Sequence, residues 1–199
     1  MADGPVIEAA GNRALAGGVH IKLILDAVAA FRKTNQTTPV VLMGYFNPVY
    51  RYGSEAFCND AVAAGVDGVI LVDLPPEEDA EIRSYLKRTG LHLIRLLAPT
   101  SDAHRLPKLT ASASGFVYYI SVAGITGAKS MDTSALAGRL AEIRRHTELP
   151  IAVGFGIKTA AQVKEIAKIA DAVVVGSALV EVLERGEDPA AFLRGLKSA

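Results

Sequence analysis

PIAVGFGIKTAAQVKEIAKIADAVVVGSALV, residues 150–180, holds a complete strand–helix–strand unit. PIAVGFGI (150–157) is a near-continuous apolar run, and DAVVVGS (171–177) is another. Apolar runs without polar alternation suit a parallel sheet covered on both faces. Between them Thr159 and Gln162 form a capping-box pair, and Val163, Ile166 and Ala170 make one apolar stripe. Both runs end in small residues, Gly154-Phe155-Gly156 and Gly176-Ser177. Where a strand gives way to a helix, such residues let backbone N–H groups approach an anion.

Working outward, similar runs recur at PVVLMGY (39–45), GVILVDL (68–74), HLIRLLAP (92–99) and GFVYYIS (115–121). With the first two they make six strands. A helical pattern precedes them, with Ile21, Leu25, Val28 and Phe31 on one face. Asp188-Pro189 caps the final helix, with Pro at its first position. The repeat of about 25–30 residues is that of a βα unit. Such units close as an open doubly wound sheet or as an eight-stranded barrel. There is no linker or low-complexity segment, so residues 1–199 read as a single domain.

Composition narrows the function. Lys plus Arg and Asp plus Glu both number 21, so there is no net charge to draw nucleic acid or an anionic membrane. The four histidines are scattered without metal-ligand spacing. The lone Cys58 cannot form an internal disulfide and reads as helix packing, and no signal peptide or membrane-length apolar run is visible. The expectation is a soluble cytoplasmic protein without a metal.

In βα folds, ligands meet the loops at the carboxyl ends of the strands. The last two strand ends, with the short helix ALVEVLERG (178–186), match the phosphate-site arrangement of barrels. SVAGITGAKSMD (121–132) has the composition of a flap that closes over a ligand. YFNPVYRYG (45–53) reads either as an aromatic wall or as rim packing. Tyr118 lies within a strand. Asp73, before Pro-Pro, reads as a turn or cap residue. Asp3-Gly4-Pro5 reads as a loop whose carboxylate can accept a hydrogen bond from a substrate N–H.

The ordered motifs ADGPVI (2–7), MGYFNPVYRYG (43–53), VDGVILVDLPPEE (66–78), AGITGA (123–128), VGFGI (153–157) and VVVGSALV (173–180) resemble the tryptophan synthase alpha subunit over essentially the whole chain. The resemblance implies a TIM-type (β/α)8 barrel, here truncated to about six βα units. It implies a lyase that cleaves indole-3-glycerol phosphate to indole and glyceraldehyde 3-phosphate in tryptophan biosynthesis. It makes Asp3 the catalytic aspartate. Tyr45, Tyr118 and Phe155 line the pocket, Thr126 orients Asp3 from the flap, and Gly127, Gly156, Gly176 and Ser177 hold the phosphate. The chain needs no cofactor of its own, because pyridoxal phosphate belongs to the partner beta subunit of an alpha2-beta2 assembly. The family's proton-shuttling glutamate, on a strand before the Asp loop, has no counterpart in these residues. The implied upstream portion is two strands and one helix, and the 199 residues alone are expected to be impaired in turnover. Two alternatives remain open: a non-catalytic fragment that binds phosphate esters or a beta subunit, and another phosphate-sugar barrel isomerase or epimerase.

Overall fold

The computed structural model describes residues 4–121, 133–154 and 156–197. It contains β1 (Val41–Gly44), β2 (Gly68–Leu71), β3 (His92–Leu93), β4 (Arg95–Leu97), β5 (Val117–Ile120), β6 (Ile151–Gly154) and β7 (Ala172–Val174). The helices are α1 (Pro5–Ala16), α2 (Ile21–Arg32), α3 (Phe46–Tyr52), α4 (Ser54–Ala64), α5 (Ala80–Thr89), α6 (Arg105–Ala111), α7 (Thr133–Arg144), α8 (Ala160–Ile166), α9 (Ser177–Glu184) and α10 (Pro189–Lys197).

Every strand pairing is parallel. β1-β2-β3 form one ladder and β4-β5-β6-β7 another. The HLIRLLAP run is therefore two short strands, because its first half bonds to β2 and its second to β5. Ile94 joins the halves: its N–H reaches the Val69 carbonyl at 2.9 Å and continues the β2 ladder. Spatially this makes six strands in chain order, as six βα units require.

Two expectations change. The residues before Ile21 are not only loop: Pro5 opens α1, with Gly4 as its N-cap. Pro pre-sets the helical φ and lacks an N–H that would be unsatisfied there anyway. YFNPVYRYG is likewise a helix, α3, with Pro48 in its first turn, and it stops at Gly53, whose φ is +97°. The other helix starts agree with the structure, although α8 ends at Ile166, before Ala170 of the expected stripe, and Phe31 of the α2 face is exposed. Gln162 N donates to Thr159 Oγ1 at 3.3 Å in a complete capping box. Ala190 N donates to Asp188 Oδ1 at 2.8 Å at the start of α10.

Strand alternation sorts the side chains into two layers. Leu42, Val69, Leu71 and Leu93 face outward and join Leu25, Val28, Phe57, Ala61, Ile82 and Leu86 of the helices. Leu97, Val117, Tyr119, Ile151 and Val153 do the same with Leu106, Leu140, Ile143 and Ile166. Cys58 is fully buried in the first of these clusters, and burial pushes its thiol up to about 11. It is a packing residue, inert at neutral pH. Met43, Ile70, Leu96, Tyr118, Ala152, Gly154 and Val174 alternate with the outward set and face the barrel interior.

At the amino ends of the strands one device occurs twice. Asp67 Oδ2 accepts from Val40 N at 2.6 Å and from Arg32, at the end of α2, at 2.6 Å. Asp171 Oδ2 accepts from Ile151 N at 2.8 Å and from Arg144, at the end of α7, at 2.8 Å. Each aspartate immediately precedes a strand and ties it to the start of the preceding strand and to the helix before that.

Candidate functional site

Because all the ladders are parallel, the carboxyl ends of all the strands share one rim. Tyr45, Asp73, Gly156, Gly176 and Ser177 stand just after those ends, and Tyr118 lies within β5.

The β6 and β7 ends are neighbours, with Gly154 opposite Val174. Beyond β6 the chain turns at Gly156, whose φ is +66°. Glycine adopts that left-handed conformation without the clash an L side chain meets. The turn is then fixed from behind, since Gln162 Oε1 accepts from Lys158 N at 2.8 Å and from Thr159 N at 3.0 Å. Beyond β7, Gly176 is the N-cap of α9 and Ser177 is its first residue. The Leu179 and Val180 amides bond back to the Gly176 carbonyl at 2.9 and 3.1 Å. The amides ahead of them have no intrahelical acceptor, by the geometry of a helix start. An anion at this corner would meet unpaired N–H donors and the positive end of the α9 dipole.

Tyr118 stands next to this corner. A Cβ built on Gly154 would lie 2.9 Å from the Tyr118 hydroxyl oxygen, 2.8 Å from the Val174 carbonyl oxygen and 2.7 Å from Val174 Cβ. The phenol therefore crosses the interior face of β6, through space that only glycine leaves open. Burial raises the Tyr118 hydroxyl above its ordinary range, so at neutral pH it remains a proton donor.

Across the rim, Tyr45 is the N-cap of α3 and half-buried. Of the aromatic stretch that follows, Phe46 and Tyr52 pack against the outer core rather than lining the mouth. Tyr52 also meets Phe57 edge-on at 6.5 Å and donates to Asp60 Oδ2 at 2.6 Å. Tyr50 is exposed on α3. For Phe46 and Tyr52 rim packing is the reading the structure supports, and Tyr45 alone of the tyrosines in this stretch stands at the strand end. Asp73 makes a contact of the cap type that its sequence context suggested. Its Oδ1 accepts from Phe46 N at 2.7 Å and so ties the β2 loop to the start of α3.

The sequence reading missed a buried charge pair below this loop. Asp79, the N-cap of α5, is fully buried and pairs with Arg95 and with Arg83, the latter at 3.1 Å. Arg95 also donates to the Leu74 carbonyl and to Ser112 Oγ, each at 2.9 Å. Burial lowers its guanidinium to about 10, leaving it charged at neutral pH. The available signal was one arginine at an outward position of an otherwise apolar strand.

Asp3, Thr126, Gly127 and Phe155 lie outside the described residues, as does all of the expected flap after Ser121. Among the described residues no three His, Cys, Asp or Glu converge as a metal site. No single helix among them is long and apolar enough to cross a membrane.

The tryptophan synthase alpha chain family profile matches residues 1–197. Among solved structures, tryptophan synthase subunit alpha from Legionella pneumophila str. Paris is 41% identical, with a TM-score of 0.88. The match covers 100% of this chain and 75% of that one. The tryptophan synthase a2b2 complex from Pyrococcus furiosus matches at 35% identity and TM-score 0.88, covering 99% of this chain and 80% of that one. An aminoacrylate-bound tryptophan synthase from M. tuberculosis matches at 34% identity and TM-score 0.85, covering 98% and 73% respectively. With parallel βα units in chain order and a match along nearly every residue, this chain belongs to the tryptophan synthase alpha chain family, a family of TIM-barrel lyases.

Proposed function

We propose that this chain binds indole-3-glycerol phosphate at the carboxyl rim and acts in its retro-aldol cleavage to indole and glyceraldehyde 3-phosphate. The observation that carries the reading is the corner built from the Gly156 turn and the α9 N-terminus, with the Tyr118 hydroxyl beside it across Gly154. A phosphate and an aromatic body need those two surfaces side by side.

The residues divide the work as follows. The turn at Gly156, the amides of Gly176 and Ser177, and Gly127 of the flap hold the phosphate. Tyr45, Tyr118 and Phe155 bound the indole. Asp3 accepts a hydrogen bond from the indole N–H, and Thr126 orients it. Cleavage starts when a proton is added at indole C3, which leaves positive charge on the ring nitrogen that the Asp3 carboxylate stabilises. Loss of the proton from the adjacent glycerol hydroxyl then turns that carbon into an aldehyde. The carbon–carbon bond breaks, and its electron pair returns the ring to neutral indole. No redox partner is needed, and the chain's own cofactor requirement is none. Released indole would pass to a beta subunit carrying pyridoxal phosphate, in an alpha2-beta2 assembly like the one the Pyrococcus furiosus relative forms. The cytoplasm is the compartment in which this reaction is expected.

Two proton movements call for a second acid–base group besides Asp3. Asp73 is engaged with Phe46 N and Asp79 with its arginines. The 199 residues alone are therefore expected to bind the ester and to release indole slowly.

The test is calorimetry with indole-3-glycerol phosphate, together with an indole-release assay, on the chain and on Asp3→Asn. Ester binding that survives Asp3→Asn, with indole release falling to background, is the expected result. Release unchanged in Asp3→Asn removes Asp3 from its role, and absence of any ester binding sinks the reading.

A further inference from the structure

Arg95 sits in the outward row of β4, 3% exposed between the sheet and the helices, against a fully buried Asp79. Desolvating two such charges offsets their attraction, and apolar side chains of similar volume often stabilise as well. Net stability alone therefore gives no reason for the pair. What apolar side chains cannot supply is a donor for the Leu74 carbonyl, which accepts from Arg95 Nη1 at 2.9 Å in the interior. The next two residues are Pro75 and Pro76, and neither has an N–H. The loop thus has few donors of its own for a buried carbonyl. Asp79 at the start of α5 and Ser112 at the end of α6 engage the rest of the guanidinium. With its planar fork held from both sides, the direction of the bond to Leu74 is fixed.

The segment pinned at Leu74 runs directly beside Tyr45. Val72 N donates to the Gly44 carbonyl at 3.0 Å, and Asp73 Oδ1 accepts from Phe46 N at 2.7 Å. The two neighbours of Tyr45 are thus held by the two residues before Leu74. Tyr45 itself has extended backbone, with φ −87° and ψ 152°. It continues the alternation of β1 and falls on the inward side with Met43.

We propose that Arg95 is a positioning residue for the mouth of the barrel. Through the Leu74 carbonyl it fixes the 72–74 segment, and that segment brackets Tyr45 and sets where the aromatic wall stands. The tie rests on these contacts alone, whereas its bearing on the ester rests on the function proposed above.

Hydrogen exchange on the full chain tests the tie without ligand. Asp79→Leu combined with Arg95→Met removes both charges together and leaves none orphaned. It should speed exchange of the Val72 and Phe46 amides by about two- to tenfold, the range of one hydrogen bond, and leave β6 and α10 unchanged. Arg95→Lys keeps a positive charge beside Asp79 but not the fork, and should speed the same two amides less. Unchanged exchange at both amides in the double variant overturns the tie. Should that variant fail to fold, unchanged exchange in Arg95→Lys overturns it.

Calorimetry in the folded variant tests the positioning. The variant should bind indole-3-glycerol phosphate about two- to tenfold more weakly than the unaltered chain. Tyr45→Ala should weaken the ester in the unaltered chain and clearly less in the variant, where the ring is already displaced. Inorganic phosphate, held at the start of α9, should bind alike in all of them. Equal effects of Tyr45→Ala in both backgrounds overturn the positioning role. If the unaltered chain binds no ester while the two amides respond as stated, the tie stands and the functional reading falls.

Discussion

Gly154 shows how one missing side chain shapes the site. Any Cβ there would press on Val174 Cβ, on the Val174 carbonyl oxygen and on the Tyr118 hydroxyl, all closer than 3.0 Å. Gly154→Ala should therefore destabilise the chain by about 1–3 kcal/mol, read from the urea midpoint at constant slope. Adding Tyr118→Phe should recover only part of the loss, because the β7 backbone remains in the way. Full recovery would mean that the phenol alone defines the space. Ser177 tests the other half of the corner. A carboxylate at the first position of α9 suits the helix dipole but repels a bound anion. Ser177→Asp should keep or slightly raise thermal stability while weakening inorganic phosphate binding more than tenfold by calorimetry, an effect of about 1.4 kcal/mol or more. The glycines were legible in the sequence because their backbone demands follow from residue type. The Tyr118–Gly154 contact was not, since nothing in the 35 residues of intervening chain specifies a register. Strand pairing supplied it: Ile120 lies opposite Gly154, which sets Tyr118 diagonally beside it on the same face.

The strand runs and several helices were readable from periodicity, and two elements that were misread share a cause. α1 and α3 begin with or contain proline, which reads as loop until its place in a first turn is known. The ties between elements were less legible still, because each joins residues far apart in sequence. Asp171 is one such tie. The Ile151 N–H, then the Arg144 guanidinium, hold its carboxyl below the usual range. A depressed folded-state value means stability that is present above the unfolded value and lost as pH falls through the folded one. The contribution should thus be complete above about pH 4 and fade below it. Asp171→Asn should flatten the acid limb of a stability-versus-pH curve, and identical acid limbs would show that the tie carries no linkage. The Asp79–Arg95 pair is the buried counterpart. Removing one partner leaves an unpaired charge beneath the β2 loop, so Asp79→Asn should lose about 3–5 kcal/mol by urea unfolding. Asp79→Leu combined with Arg95→Met should lose clearly less, because no orphaned charge remains. Equal losses in the single and double variants would assign the effect to packing.

At the scale of the molecule, the parallel sheet has its outer face covered and its inner face and edges only partly so. Parallel sheets ordinarily have both faces protected. Here, among the described residues, β1 and β7 each pair on one side only. Met43, on the inward face of β1, is 52% exposed, and Ala172 of β7 is exposed as well. Leu23 and Ile24 on the neighbouring α2 add apolar surface at 47% and 39% exposure. A flat parallel edge bordered by such residues is a template for another chain. The 199-residue chain should therefore associate as its concentration rises, visible as a growing weight-average mass in sedimentation equilibrium. Met43→Lys tests whether the β1 edge is responsible. The position is open enough to accept a charge with a change in stability within about 0.5 kcal/mol. A charge there should repel a second edge and shift association to several-fold higher concentration. Association undiminished in Met43→Lys, with the fold intact by circular dichroism, would move the sticky surface away from β1 and onto α2 or the β7 side.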